Sequence, residues 1–108
     1  MNIDWTMVRA RYEQQESILP LSGQSRLNIV SVDDEKICFR HRLWRDCVSK
    51  DALETAVTVL GDRPLPANAI EFAEELRRHY SSGPSVITDC SRIPNLSAVV
   101  LKDLGYLR

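Results

Sequence analysis

The sequence has only four glycines and no glycine-rich loop, so it lacks the phosphate-binding loops of nucleotide-dependent enzymes. Its three cysteines contain no CxxC pair, and their spacing to the two histidines is not that of a zinc site. No cysteine has a histidine placed beside it on the same face of a strand or helix, as an activated nucleophile requires. We therefore predict no metal, no cofactor and no catalytic residue, and hence a protein that is not an enzyme.

Long apolar runs are also absent, since no stretch approaches the roughly 20 residues that span a bilayer. The first fifteen residues have neither the basic start nor the apolar middle of a signal peptide. The chain has three cysteines, Cys38, Cys47 and Cys90. An odd number of cysteines favours buried, reduced thiols over a disulfide framework. These features predict a cytoplasmic protein without a membrane partner.

The length of 108 residues predicts one domain, because two domains of half that size would each lack an adequate core. The formal net charge of −1 argues against wholesale electrostatic wrapping of nucleic acid or of an anionic membrane. Any contact with a polyanion would have to be local.

Four segments have the apolar spacing and the end signals of amphipathic helices. The first covers residues 4 to about 17, with Asn2 or Asp4 as its N-cap. The others are a helix between Ser49 and Gly61, a helix from Asn68 to about His79, and a last helix between Asn95 and Gly105. The last helix is apolar on almost every side. Such a helix is either central to the core or covered by a partner.

The stretch RLNIVSVDDEKICFRHRLW predicts an antiparallel β-hairpin with its turn at 33–36. In its second strand, Ile37, Phe39, His41 and Leu43 alternate with Lys36, Cys38, Arg40, Arg42 and Trp44. That alternation is typical of a strand with one packed face and one solvated face. Residues 86–88 either form a third short strand or lead straight into the last helix. With that strand, the predicted order is α-β-β-α-α-β-α, a single α+β domain over 1–108.

Residues 36–45 carry four positive charges and no acid. In one strand, Arg40 and Arg42 would point the same way about 7 Å apart, close to the phosphate spacing along nucleic acid. Trp44 could stack on a base or support a guanidinium. The alternative is a solvated face whose arginines pair with the acids of the helices, Glu54, Glu71 and Glu75. The candidate nucleic-acid-binding residues are Arg26, Lys36, Arg40, Arg42, Trp44 and Arg45.

Three blocks of the sequence, QSRLNIVSVDDEKICFR, VSKDALETAVTVLG and SRIPNLSAVVLKDLGYL, resemble in order and spacing a small module of bacteria. This module occurs alone or fused to restriction-type endonucleases and helicases. The polar positions that carry the resemblance are Arg26, Asn28, Ser91 and Arg92, whereas HRLWRDC departs from the pattern. The resemblance implies an accessory module of DNA-directed systems that contacts DNA or a protein partner, and it brings no catalytic residue.

Two functions follow from these patterns. The first is a non-enzymatic module that contacts nucleic acid through the basic strand face. The second is a protein–protein interaction domain, as a homodimer or an adaptor, whose support is the apolar last helix, the acidic middle of the chain and Trp44.

Overall fold

The structure is a computed structural model that describes residues 3–21, 26–42, 44–61, 68–82 and 92–108. The elements in chain order are α1 (Trp5–Glu13), β1 (Ser17–Ile18), β2 (Leu27–Val32), β3 (Lys36–Arg40), β4 (Arg45–Ser49), α2 (Lys50–Leu60), α3 (Ala69–Ser82) and α4 (Ile93–Asp103). The α+β class is confirmed, and the described sheet has four strands where the sequence predicted a hairpin. The predicted strand at 86–88 lies outside the described residues.

The sheet has the order β1-β2-β3-β4, and every neighbouring pair is antiparallel. The predicted hairpin is confirmed as β2 and β3, with Val32 paired to Ile37 beside the turn. Within β3, Ile37 and Phe39 are buried while Lys36 and Arg40 are exposed, as predicted, but Cys38, predicted on the solvated face, is also buried. Leu43 lies outside the described residues.

The prediction of one extended strand from residue 36 to residue 45 is wrong. β3 ends at Arg40, and His41 and Trp44 then exchange two backbone hydrogen bonds of 2.8 and 3.3 Å. Only two residues separate that pair, so the chain reverses there and returns as β4. The sequence at 42–43 has none of the Gly, Asn or Asp residues that favour a two-residue hairpin turn, which is why the pattern did not reveal it.

The prediction of reduced thiols is wrong for two of the three cysteines, because Cys38 and Cys47 form a disulfide. The register places Cys38 directly opposite Cys47 on β3 and β4. Along an antiparallel ladder, hydrogen-bonded residue pairs alternate with non-hydrogen-bonded pairs. His41 and Trp44 form a hydrogen-bonded pair, and the pair of Cys38 and Cys47 is three positions further along. Cys38 and Cys47 are therefore a non-hydrogen-bonded pair, in which the side chains lie closest. The proximity of the two cysteines could not be predicted from the sequence, because it depends on the unpredicted turn at 41–44. Cys90 lies outside the described residues.

The helix caps were largely predicted. Asp4 accepts hydrogen bonds from the backbone N–H groups of Thr6 and Met7, and Ser49 accepts one from Ala52 at 3.0 Å. The Asn68 side chain likewise accepts from the N–H of Glu71 at 3.0 Å, at the start of α3.

Two predicted helix ends are wrong. α1 ends at Glu13 instead of about residue 17, because the chain there enters β1. α4 begins at Ile93 with Arg92 as its N-cap, whereas the sequence predicted Asn95. Pro94 suits the first turn of a helix, where its missing N–H costs nothing, so α4 starts one turn earlier.

α1, α2 and α4 pack against the sheet, α3 packs against α4 and α2, and α4 lies at the centre of the core. Leu96, Val99 and Val100 of α4 belong to a cluster that also contains the buried side chains of α1 and of the sheet. Ala98 and Leu101 belong to a second cluster, with α2 and α3. Of the two predicted environments for this apolar helix, burial within its own chain is the observed one. Within the described ranges, no helix combines the length and the apolar character that crossing a bilayer requires.

Candidate functional site

The outer face of the sheet carries a row of polar side chains across all four strands. Ser17 pairs with Asn28, Asn28 with Arg40, and Arg40 with Arg45. Side chains directly opposite each other on neighbouring strands have Cβ atoms about 5 Å apart, and like charges in such positions destabilise a sheet. The pair of Arg40 and Arg45 therefore places two positive charges side by side on an exposed surface.

Arg26 joins this row from the beginning of β2. Its Nε donates to the Ser17 hydroxyl at 2.6 Å, and a terminal nitrogen donates to the Ser17 carbonyl at 3.1 Å. Because these two bonds use only part of its donors, Arg26 is held in place with donors left over. It lines a cavity of about 450 Å³, the hairpin cavity, together with Asn28, Arg40, His41 and Arg42.

Trp44 follows the chain reversal and supports the guanidinium of Arg92, a residue that is distant from it in sequence. The Arg92 guanidinium carbon lies 4.6 Å from the centre of the Trp44 ring system. His41 stacks against Trp44, with ring centres 5.5 Å apart and planes 19° from parallel. Of the two predicted roles for Trp44, the support of a guanidinium is the observed one, and Arg92 is a surface residue that it positions.

A second cavity, the α4 cleft, separates the chain reversal at 41–44 from the start of α4. It measures about 540 Å³, and Trp44 and Arg92 lie on its wall. Its lining divides into apolar residues (Pro20, Leu21, Leu27, Leu96 and Val99) and polar or aromatic residues (His41, Arg42, Trp44, Arg92 and Asn95). His41 and Arg42 line both cavities, so the hairpin cavity and the α4 cleft adjoin.

The structure therefore gathers an arginine cluster, defined as Arg26, Arg40, Arg42, Arg45 and Arg92. Within the described ranges, neither adjoining cavity has an acid in its lining. Ion pairs at α1 join Arg9 to Glu13 and Asp34, and Arg11 to Asp103. The predicted alternative, pairing of Arg40 and Arg42 with Glu54, Glu71 or Glu75, is not seen in this part of the chain.

Lys36 is the one predicted site residue that the structure leaves apart. It shares the outer face with Arg40, but it pairs with Ser49 at the opposite end of β3. Four residues of strand separate the two side chains by about 13 Å. The predicted basic face is thus concentrated at the end of β3 near the chain reversal, where Arg26, Arg40, Arg42, Trp44 and Arg45 meet.

The predicted basic strand face did not include Arg92 or His41, although both line the α4 cleft. Arg92 is 48 residues from Trp44, and no local spacing connects the two. Asn28 and Arg92 were predicted from the resemblance alone, and the structure places them in the lining of the two adjoining cavities. Ser91 lies outside the described residues.

The described residues contain no group of three or more His, Cys, Asp or Glu side chains that could hold a metal ion. What the site offers is guanidinium groups, the Asn28 and Asn95 amides and an apolar wall. Comparison of the chain with protein-family models, with curated proteins and with solved structures gives no match. The resemblance to the bacterial module remains a prediction.

Proposed function

We propose that this chain is a non-enzymatic module that binds nucleic acid through the arginine cluster. The single observation that carries the proposal is the convergence of five arginines from four separate segments onto two adjoining cavities and the neighbouring sheet face. Guanidinium groups bind phosphate oxygens through paired, charge-assisted hydrogen bonds. A chain with a net charge of −1 thus presents a local surface of strong positive charge.

The position of Arg40 opposite Arg45 supports an anionic ligand. Two like charges at directly opposed sheet positions raise the free energy of the isolated protein. A phosphate between them turns that repulsion into two favourable contacts. Arg42 and Arg92 add two further positive charges to the lining of the α4 cleft.

The hydrogen bonds of Arg26 add a second form of support. Anchored on Ser17, its guanidinium loses less side-chain freedom on binding than a freely moving arginine would. This preorganisation is useful for holding a phosphate at the hairpin cavity.

The protein-interaction alternative loses part of its support. Its strongest sequence argument was the apolar last helix, and α4 is covered by the other elements of this chain. Trp44, its second argument, is half-buried and packs against Arg92. A homodimer remains a separate prediction, which light scattering checks by whether the mass stays near 12.3 kDa at high concentration.

The proposal is tested by fluorescence anisotropy with labelled single-stranded and duplex oligonucleotides. We expect binding at low salt. If five phosphates are contacted, affinity should fall by about two orders of magnitude for the single strand and nearly three for the duplex between about 50 mM and about 200 mM salt. The double variant Arg40→Gln/Arg42→Gln should bind at least tenfold more weakly and show a shallower salt dependence.

A matched control removes the same charge elsewhere. Lys102→Gln/Arg108→Gln also deletes two exposed positive charges, and Lys102 lies ten residues along from Arg92, or about 15 Å on a helix. This control should bind as the unmodified protein does. Absence of binding to every oligonucleotide at low salt, or equal losses in the two double variants, would contradict the proposal.

A further inference from the structure

The α4 cleft differs in character from the arginine-lined hairpin cavity beside it. Its accessible apolar lining is formed by Pro20, Leu21 and Trp44, which are half-buried. Its exposed lining contains Arg42, Arg92 and Asn95. Phosphate groups gain nothing from an apolar wall, so this cleft suits a ligand with a flat apolar part and a charged part.

We infer that the nucleic acid is single-stranded and that one unpaired nucleobase enters the α4 cleft while the flanking phosphates lie on the arginine cluster. This inference rests on the proposed function and names its ligand class. A nucleobase buries its faces against apolar side chains, and the volume of about 540 Å³ is in the range of small-ligand pockets.

The two adjoining cavities explain how one strand occupies both. His41 and Arg42 line both cavities, so in the proposed mode the strand passes over these two residues from the hairpin cavity to the α4 cleft. Arg26 and Arg40 line the hairpin cavity and Arg92 lines the α4 cleft. A backbone that follows this path keeps a guanidinium beside it on both sides of the inserted base.

Trp44 is a positioning residue in this arrangement. The Arg92 guanidinium over its ring and the His41 ring stacked against it hold both groups at the cleft. Arg92 is also the N-cap of α4, whose positive helix end adds to the attraction for a phosphate. Asn95, one turn into α4 and exposed, has an amide that both donates and accepts, as the edge of a base requires.

Base pairing is incompatible with this binding mode. In a duplex the bases are stacked and paired inside the helix, so a base reaches a protein pocket only after it is unpaired. A single strand has no such cost. The geometry therefore predicts that a single strand binds more tightly than a duplex of the same sequence.

The experiment compares three labelled ligands at low salt with the unmodified protein. They are a 12-nucleotide single strand, its duplex, and a strand of the same length whose central nucleotides lack bases but keep their phosphates. Since stacking one base on a protein changes affinity about five- to a hundredfold, we expect the intact strand to bind about tenfold more tightly than either other ligand.

A cleft-filling variant locates the base. Asn95→Met places a longer, non-aromatic side chain at an exposed position of the cleft, and the loss of room for the base should weaken binding of the intact strand about tenfold. Binding of the strand without bases should not change, because that ligand leaves the cleft empty. Asn95→Ala, which opens the cleft, serves as the control for loss of the amide alone and should weaken binding less than Asn95→Met.

The outcomes separate the two claims. Equal affinity for the intact strand and the strand without bases, or tighter binding of the duplex, would overturn the single-strand inference and leave the proposed function standing. No binding of any of the three ligands would overturn both. The comparison of ligands needs no variant, so it decides the question even if Asn95→Met fails to fold.

Discussion

Ser97 is a polar side chain in the middle of the most buried helix. It has no exposed surface, and its hydroxyl has no hydrogen-bond partner among the described residues. A buried hydroxyl without a partner forgoes the hydrogen bonds that water would give it, and this raises the free energy of the folded state.

Replacing Ser97 with alanine should therefore stabilise the protein. The change removes the unpaired hydroxyl and favours the helix, and we expect the free energy of unfolding to rise by about 1 kcal/mol. Urea denaturation measures the effect, and oligonucleotide binding should stay the same because Ser97 lines neither cavity. A stability loss of similar size would show that the hydroxyl has a partner in the segments that are not described.

At the scale of elements, the turn between β2 and β3 is built around Asp33. Its carboxylate accepts hydrogen bonds from the backbone N–H groups of Glu35 at 2.7 Å and Lys36 at 3.0 Å. Its carbonyl accepts one from the Trp5 indole at 2.8 Å, which ties the turn to α1. The hydrogen bonds from Glu35 and then Lys36 lower the pKa of Asp33, because they favour the charged form.

The lowered pKa of Asp33 gives a defined pH dependence. Its contribution to stability is present above the unfolded-state pKa and disappears as the pH falls through the lower folded-state value. Asp33→Asn keeps an oxygen acceptor but does not titrate, so its stability should fall less than that of the unmodified protein between about pH 5 and about pH 2.

Denaturation with urea at several pH values provides the measurement for Asp33. Asp33→Ala serves as the control, because it removes both the charge and the acceptor and should be the least stable of the three proteins at neutral pH. If the unmodified protein and Asp33→Asn lost equal stability on acidification, the assigned role of the Asp33 carboxylate would be wrong.

The whole molecule depends on two long-range features, the central α4 and the disulfide between β3 and β4. Leu96 and Val100 of α4 join the sheet cluster while Ala98 and Leu101 join the helix cluster, so one element holds both halves of the core. The Cys38–Cys47 bond closes the strand–turn–strand unit that presents Arg40, Arg42 and Arg45. The predicted cytoplasmic location loses the support of reduced cysteines and remains a prediction.

Removal of the Cys38–Cys47 disulfide should lower stability. Closing a loop of this length reduces the entropy of the unfolded chain by the equivalent of about 2–3 kcal/mol, so Cys38→Ala/Cys47→Ala should lose up to that amount. Urea denaturation with and without a reductant is the measurement, made in a Cys90→Ser background. Thiol titration of the same protein should find no free thiol before reduction and two after it; two free thiols before reduction would contradict the pairing.

How much was predictable depended on how local each signal was. Ser49, Asn68 and Gly61 mark helix ends within a few residues of sequence, and the structure uses all three as predicted. β1 has only two residues, which is too short for a periodic pattern to show, and β4 follows a turn without characteristic residues. The candidate site was half predictable, since Arg40, Arg42 and Arg45 are close in sequence but Arg92 is not.

The sequence by itself determined the α+β class, the hairpin of β2 and β3, three of the helix caps and the presence of a local basic surface. These follow from side-chain periodicity and from hydrogen bonds between residues a few positions apart. Only the tertiary structure decided that Cys38 meets Cys47, that Arg92 packs on Trp44 and that two cavities adjoin at Arg42. Those contacts depend on where the chain reverses and on how α4 packs against the sheet, and no local pattern encodes either.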